Sequence, residues 1–524
     1  MSRSLAKSTT VVGGMTLTSR VMGFLRDIVF ARFFGAGAGM DVFVVAFQIP
    51  NFLRRLFGEG AFSQAFVPVL SEYQDQRSHE EVQALADRVA GTLGLILMII
   101  TVIGIVASPV LIFLFAPGFS GEEDKFALAA GMLRLTFPYL LFISLVAFAG
   151  GILNTFGRFA VPAFTPVLLN VVLIASVFLI APRMEQPVYG LAIGVFIAGF
   201  VQLAFQIPFL KRLDVLPRPR WGWRHEGVRR IIRLMLPAIL GSSVAQINLL
   251  VDRVIASFLA TGSISWLYYS DRLLEFPLGV FAIALATVIL PGLSRHHAAK
   301  SAAAFSATLD WALKLAMVIA LPAAVGMFFL AAPMVATLFN YGAFGAEDVR
   351  MATFSVMAYA LGLIAFTLVK VLLPGYFARQ DTRTPVRISV IALLSNIVLN
   401  IVIVLPMMHF GVKAPHAGLA LATGLAAVLN ATLLYRGLRQ RGVYKPADGW
   451  AWLALRVAAA NIVMAVLLWR LAGDLDRWLT ATWFDRAPWL AGCIIAGVVT
   501  YLAVLGLGGV RPRHLKVQYP VAGK

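Results

Sequence analysis

"TLTSRVMGFLRDIVFARFFGAG", residues 16–37, decides the fold class: it is apolar enough to span a membrane, yet it carries Arg20, Arg26, Asp27 and Arg32. A charge near the bilayer centre costs from a few kcal/mol up to roughly ten, so such residues face water or a partner helix rather than lipid. At 100° per residue, Gly13, Thr16, Ser19, Arg20, Gly23, Arg26 and Asp27 fall within a sector of roughly 140°. Arg32 points elsewhere, near the outer end, where it can snorkel. The stretch reads as a transmembrane helix with one face too charged for lipid.

The rest of the chain agrees with a membrane setting. Of 524 residues, 60% are apolar and 13% charged, with a mean hydropathy of +0.84; soluble domains carry about 25% charged residues. Apolar segments of about 20 residues recur throughout, which favours helices over barrel strands. Fourteen spans are expected, at 11–34, 41–57, 88–115, 128–156, 160–181, 188–210, 230–260, 265–292, 307–338, 350–377, 386–408, 415–436, 451–471 and 487–509. With a cytoplasmic N-terminus, the loops assigned inside and both termini hold about 28 Lys/Arg against about 7 outside, as the positive-inside rule requires. Both termini are therefore expected in the cytoplasm.

Several function classes drop out. The outside loops are short and leave no room for an extracytoplasmic catalytic domain, and no Walker A loop or HExxH motif is present, so an enzyme is not expected. The lone Cys493 gives neither a disulfide framework nor a cysteine metal site. No cleavable signal is evident at the N-terminus. The basic segment 211–233, "KRLDVLPRPRWGWRHEGVRRIIR", places Trp221 and Trp223 beside Arg218, Arg220 and Arg224. That reads as an interfacial anchor on anionic membrane lipid rather than nucleic-acid binding.

A weak internal repeat organises the chain. "LRDIVFARFFGAGAG" (25–39) aligns with "LVDRVIASFLATGSI" (250–264), pairing Asp27 with Asp252, and Pro68 falls opposite Pro291. A period of about 223–225 residues repeats six spans and keeps both halves in the same orientation, as in transporters whose two lobes rock about a central site. The expected fold is an all-α polytopic membrane protein of about 14 transmembrane helices. Two six-helix lobes, related by a pseudo-two-fold axis along the membrane normal, are followed by two extra C-terminal helices. The expected domains are an N-lobe (1–211), a basic cytoplasmic linker (212–229), a C-lobe (230–440), the additional helices (441–510) and a cytoplasmic tail (511–524).

Charge recurs in the leading spans of both halves. In the second span Asp41, Gln48 and Arg55 lie seven apart on one stripe, with Arg54 and Glu59 at its cytoplasmic end; in the eighth, Tyr268, Arg272 and Glu275 share a face. Buried ion pairs that fix packing are one reading of this cluster. The other is an anion site, because guanidinium forks bind phosphate oxygens bidentately. Separately, Asn396, Asn400 and Thr423, with Asp252, offer oxygens that suit a small cation such as Na⁺, although interhelical hydrogen bonding explains such asparagines more simply.

Several segments are familiar together: 19–37, 41–73 ("DVFVVAFQIPNFLRRLFGEGAFSQAFVPVLSEY"), 151–170 ("GILNTFGRFAVPAFTPVLLN"), 267–294 ("LYYSDRLLEFPLGVFAIALATVILPGLS") and 374–386 ("PGYFARQDTRTPV"). The chain resembles the MurJ/MviN family of lipid II flippases, within the multidrug/oligosaccharidyl-lipid/polysaccharide exporter superfamily. The resemblance implies a bacterial inner-membrane protein with a cationic cavity. Such a protein moves lipid II from the cytoplasmic to the periplasmic leaflet by alternating access, and its two extra helices form a groove for the polyprenyl tail. It maps the family's substrate-binding positions onto Arg20, Arg26, Arg54, Arg272, Asp41 and Glu59. It maps a Na⁺ site onto Asp252, Asn396 and Thr423, with Asn400 standing where a Na⁺-binding member has an acid. Membrane lipids and the peptidoglycan synthesis machinery are the implied partners of a monomer. Export of another polyprenyl-pyrophosphate-linked oligosaccharide, or a non-transporting cell-wall scaffold, are the alternatives.

Overall fold

The computed structural model describes residues 3–55 and 62–511, and every regular element among them is helical. In chain order α1 covers Arg3–Phe34, α2 Ala38–Leu53, α3 Ser63–Gln76, α4 His79–Val106, α5 Ser108–Phe115, α6 Glu123–Thr136, α7 Tyr139–Thr155, α8 Ala160–Leu179, α9 Tyr189–Lys211 and α10 Glu226–Ala256. There follow α11 Ser263–Pro277, α12 Ile283–Ala298, α13 Ala302–Phe329, α14 Ala331–Phe339, α15 Ala346–Phe377, α16 Arg383–His409, α17 Pro415–Gln440, α18 Trp450–Ala472, α19 Leu475–Thr480 and α20 Trp483–Leu507.

Each expected span has its helix, with instructive departures. The segment 58–87, expected as a loop, contains α3 and the start of α4. The latter begins at His79 because Ser78 and Glu81 form a reciprocal cap: Ser78 Oγ accepts from the Glu81 amide and Glu81 Oε2 from the Ser78 amide, both at 3.3 Å. Glu80 and Glu81 also suit the positive helix start. The fourth span divides at Pro138, where the missing amide cannot continue the ladder.

Ten helical segments are long and apolar enough to cross a membrane. They match spans 3–6 and 9–14. The other four expected spans correspond to α1, to α2 of 16 residues, to α10, and to α11 and α12, which a π-helical turn divides into pieces of 15 and 16 residues.

The chain forms two compact units, Met1–Ser265 and Trp266–Lys524. The sequence repeat begins its second copy at 230, but α10 belongs to the first unit. Val228 and Ile231 join a core with Phe66, Leu70, Leu85 and Leu153, and Arg230 makes a bidentate pair with Glu72 at 2.8 and 2.7 Å. The Arg230 hydrogen bond holds the Glu72 carboxyl below the usual carboxylate range. In the second unit the corresponding core gathers Leu293, Leu309, Tyr376, Leu434 and Leu438.

The repeat extends to fine structure. Arg54 and Arg55 lie in a π-helical turn after α2, and Leu278–Ala282 form another 224 residues on. The break at Ala107 between α4 and α5 recurs at Leu330 between α13 and α14, 223 residues later.

The connectors repeat too. The segment expected as a linker is fastened along α4: the Arg218 amide donates to Asp87 Oδ1 (2.7 Å), Gln83 Nε2 to the Leu216 carbonyl (2.9 Å), and the Arg220 amide to the Asp87 carbonyl (2.9 Å). The Gly222 amide adds a bond to Thr92 Oγ1 (3.2 Å). The approach is so close that a Cβ on Gly91 would sit 2.3–2.5 Å from the Arg220 backbone. After α17, the Ala447 amide donates to Asp310 Oδ1 (3.1 Å) and the Lys445 amide to Ser306 Oγ (2.9 Å), with Tyr444 Oη and Trp450 Nε1 also on Asp310. Asp87 and Asp310, like Gln83 and Ser306, are 223 residues apart. Each half latches its trailing connector onto its own third span by the same two positions.

Candidate functional site

The polar face of α1 has two uses. Arg26 and Asp27 are buried: Arg26 Nε and Nη2 donate to Asp27 Oδ1 at 3.0 and 2.7 Å, and Nη1 donates to Asn170 Oδ1 of α8 at 3.0 Å. Asn170 also donates to the Ser19 carbonyl (3.2 Å), and its side chain lies against Gly23. Ser19, Gly23 and Arg26, at i, i+4 and i+7, are thus the contact line with α8. Arg20 remains exposed. The face expected to meet water or a partner helix does both: Ser19, Gly23 and Arg26 pack on α8, while Arg20 is exposed. Asn170 escaped notice as a site residue, although an asparagine in an otherwise apolar span was a visible sign.

Asp41 in the first turn of α2 is 1% exposed and accepts three hydrogen bonds, from the Gly262 amide (2.7 Å), the Ser265 amide (2.9 Å) and Ser265 Oγ (2.6 Å). Seven residues, about two turns, further along the stripe, Gln48 Oε1 accepts from Arg253 Nε (3.0 Å), while Arg253 Nη1 reaches the Ile264 carbonyl (3.3 Å). Two of the three stripe residues therefore hold the end of α10 and the turn after it. A carboxylate beside backbone amides and a hydroxyl is well solvated without water. The role of Arg253 depends on a residue of α2, 205 positions away, and leaves no local signature in the sequence.

Arg54 is half-buried in its π-helical turn and donates from Nε to Asn51 Oδ1 (3.2 Å). Such turns disturb the helical ladder and recur at functional sites. Glu59 lies outside the described residues. In the second unit, Arg272 pairs with Glu275 at 2.7 Å and lies 4.9 Å from the centre of the Tyr268 ring, one turn before the second π-helical turn. The expected face of Tyr268, Arg272 and Glu275 is formed. Exposed Glu275 can release the guanidinium to another anion at small cost, because exposed pairs contribute little.

The candidate cation residues divide between the units, Asp252 in the first and Asn396, Asn400 and Thr423 in the second. The latter three form a chain. Asn400 Nδ2 donates to Asn396 Oδ1 (3.0 Å), Asn396 Nδ2 to Thr423 Oγ1 (3.3 Å), and Thr423 Oγ1 to the Leu419 carbonyl (2.9 Å). Both asparagines are fully buried. In this arrangement Asn396 Oδ1 and Thr423 Oγ1 each accept an amide proton. Among the described residues no group of three or more His, Cys, Asp or Glu is placed to hold a metal.

Comparison with known proteins follows the same lines. The family model for lipid II flippase MurJ matches residues 30–486. A probable lipid II flippase MurJ of Vibrio cholerae is 50% identical over 524 residues, covering 98% of each chain. Lipid II flippase MurJ of Burkholderia cenocepacia is 41% identical, over 98% of this chain and 99% of its own. A solved structure of lipid II flippase MurJ in an inward closed conformation gives a TM-score of 0.78 at 28% identity, covering 95% of this chain and 98% of that one. An inward-facing multidrug-resistance MATE transporter of the MOP superfamily shares the fold, with a TM-score of 0.64 at 16% identity over 83% and 98% of the two chains. The polar leading spans, the repeat and these matches have one meaning: the chain belongs to the MurJ family of lipid II flippases.

Proposed function

We propose that this protein moves lipid II, the polyprenyl-pyrophosphate-linked peptidoglycan precursor, from the cytoplasmic to the periplasmic leaflet by alternating access. One observation in this chain carries the reading: arginines gather in leading spans that are otherwise membrane-like, and Arg20 is exposed there with no ion pair among the described residues. A guanidinium kept in that setting needs an anion, and a pyrophosphate supplies one with fork-matching oxygens. Arg20, Arg26, Arg54 and Arg272 are the proposed pyrophosphate contacts. Asp41 and Glu59 are the acids the family resemblance adds, and the hydrogen bonds of Asp41 make it a residue that holds its helix in place.

The polyprenyl tail is proposed to lie on α18 and α20, whose outward faces carry Leu455, Ile462, Val466, Ile495 and Val498. The protein acts as a monomer in the bacterial inner membrane, with both termini cytoplasmic on the asymmetry of loop charge. Depletion in living cells tests the function. Lipid II is expected to accumulate in the inner leaflet. Accumulation of another lipid-linked oligosaccharide with lipid II unchanged overturns this in favour of a different exporter, and unchanged precursors with lost complex assembly point to a scaffold.

Na⁺ coupling is a separate proposal carried by the family resemblance, and no step above runs through the ion. Flipping in reconstituted vesicles is expected to be faster in Na⁺ than in K⁺; equal rates overturn it.

A further inference from the structure

A second ligand site is built into the first unit, apart from the arginines of α1 and α2. On α4, Val89, Leu93, Leu97 and Ile100 form one apolar stripe; on α10, Val228, Ile231, Ile232 and Met235 form another at i, i+3, i+4 and i+7. The two stripes do not close on each other. They leave a cavity of about 120 Å³, backed by Phe62 of the turn before α3 and Ser144 of α7. From Thr92 to Ile100 it follows α4 for about 12 Å at the helical rise of 1.5 Å per residue. Its walls are apolar apart from Thr92 and Ser144.

The cytoplasmic end of this cavity is chemically different. Thr92, in its wall, is the residue that accepts from the Gly222 amide, so the fastened connector sits at the top of the cavity. Residues 211–233 contain eight Lys and Arg but only two acids, Asp214 and Glu226. Arg230 is taken by Glu72, whereas Arg218, Arg220, Arg224, Arg229 and Arg233 are exposed. Trp221 and Trp223 are 62% and 46% exposed and stack with ring planes 9° apart, as befits rings at a lipid headgroup level.

A slot of apolar walls beneath a cationic, aromatic cap matches one kind of molecule. We propose that the cavity between α4, α7 and α10 binds one acyl chain of an anionic phospholipid, with the phosphate headgroup held by Arg220, Arg224 and Arg229. The apolar walls select a hydrocarbon chain, and the charge of the cap selects an anionic over a zwitterionic headgroup. The ligand is a resident lipid of the cytoplasmic leaflet. Its binding would keep α10 apart from α4 along the stripe while the connector stays fastened above.

Native mass spectrometry of the full chain tests this, with phosphatidylglycerol and phosphatidylcholine as probes. The wild-type protein is expected to retain one phosphatidylglycerol and little phosphatidylcholine. Ile96→Trp and Ile232→Trp, two wall residues that are only half-buried, fill the cavity and are expected to remove the bound lipid, whereas Ile96→Ala keeps it. Arg224→Gln with Arg229→Gln is expected to weaken phosphatidylglycerol binding about tenfold while leaving the walls intact. Helix content and gel filtration identify folded variants. Folded tryptophan variants that retain phosphatidylglycerol like the wild type overturn the acyl site. Equal retention of the two lipids overturns the headgroup assignment.

Discussion

Replacing Arg26 by alanine is expected to abolish lipid II flipping and, unlike replacement of Arg20, to destabilise the folded protein as well. Arg26 gives two hydrogen bonds to buried Asp27 and one to Asn170. Removing one member of a buried pair costs about 3–5 kcal/mol, because the remaining charge loses its compensation. Arg20 is exposed, so Arg20→Ala should lose flipping at nearly unchanged stability. Complementation as the sole copy, together with the thermal midpoint of the purified protein, separates the two effects. The decisive variant is Arg26→Ala with Asp27→Ala, which removes the carboxylate too. It is expected to recover most of the stability and none of the transport. Restored transport in that double variant would mean that Arg26 serves packing alone, and growth of Arg26→Ala would remove it from the anion site altogether.

Asp41→Ala is expected to be the most destabilising single change in α2. Its carboxylate satisfies the Gly262 amide, the Ser265 amide and the Ser265 hydroxyl, all within 2.6–2.9 Å. Bonds to a charged acceptor contribute about 1.5–3 kcal/mol each and are not additive, so a loss of about 3–5 kcal/mol is reasonable. Asp41→Asn keeps one acceptor oxygen and should fall between wild type and alanine. Hydrogen exchange at Gly262 and Ser265 reads the contact directly. Unchanged protection of these amides in Asp41→Ala would show that the carboxylate does not hold the turn, and would return Asp41 to a role with substrate.

The fold was legible because membrane insertion writes itself into long apolar runs and loop charge, and both survive without knowledge of tertiary contacts. The repeat was legible from a few matched positions, and the same period returns in π-helical turns, helix breaks and connector latches. What escaped the sequence was pairing. Helical periodicity assigns Arg26 to a face but cannot say that the face also meets Asn170 of α8. The stripe Asp41–Gln48–Arg55 was visible, yet its partners Ser265 and Arg253 lie over 200 residues on. α3 was missed because its apolar residues form one stripe within a polar composition, below the level expected of a span. The expected C-lobe starts at residue 230 with the seventh span, and in the structure Val228 and Ile231 pack in the core of the first unit.

The two connector latches also bear on how the chain is made. Asp87 and Gln83 are already in place on α4 when the ribosome delivers residues 216–220, and Asp310 and Ser306 precede residues 445–447 by a similar stretch. Every group needed to fasten a connector lies upstream of it. Each half can therefore seal its own cytoplasmic end during synthesis, in keeping with the N-to-C folding of successive domains. The first half need not wait, with a long basic segment loose at the membrane surface, for the second to emerge. A duplicated membrane protein assembled in this way enters the bilayer as two consecutive closed pieces, and the nascent chain between them is short of free backbone from the moment its sixth span is inserted.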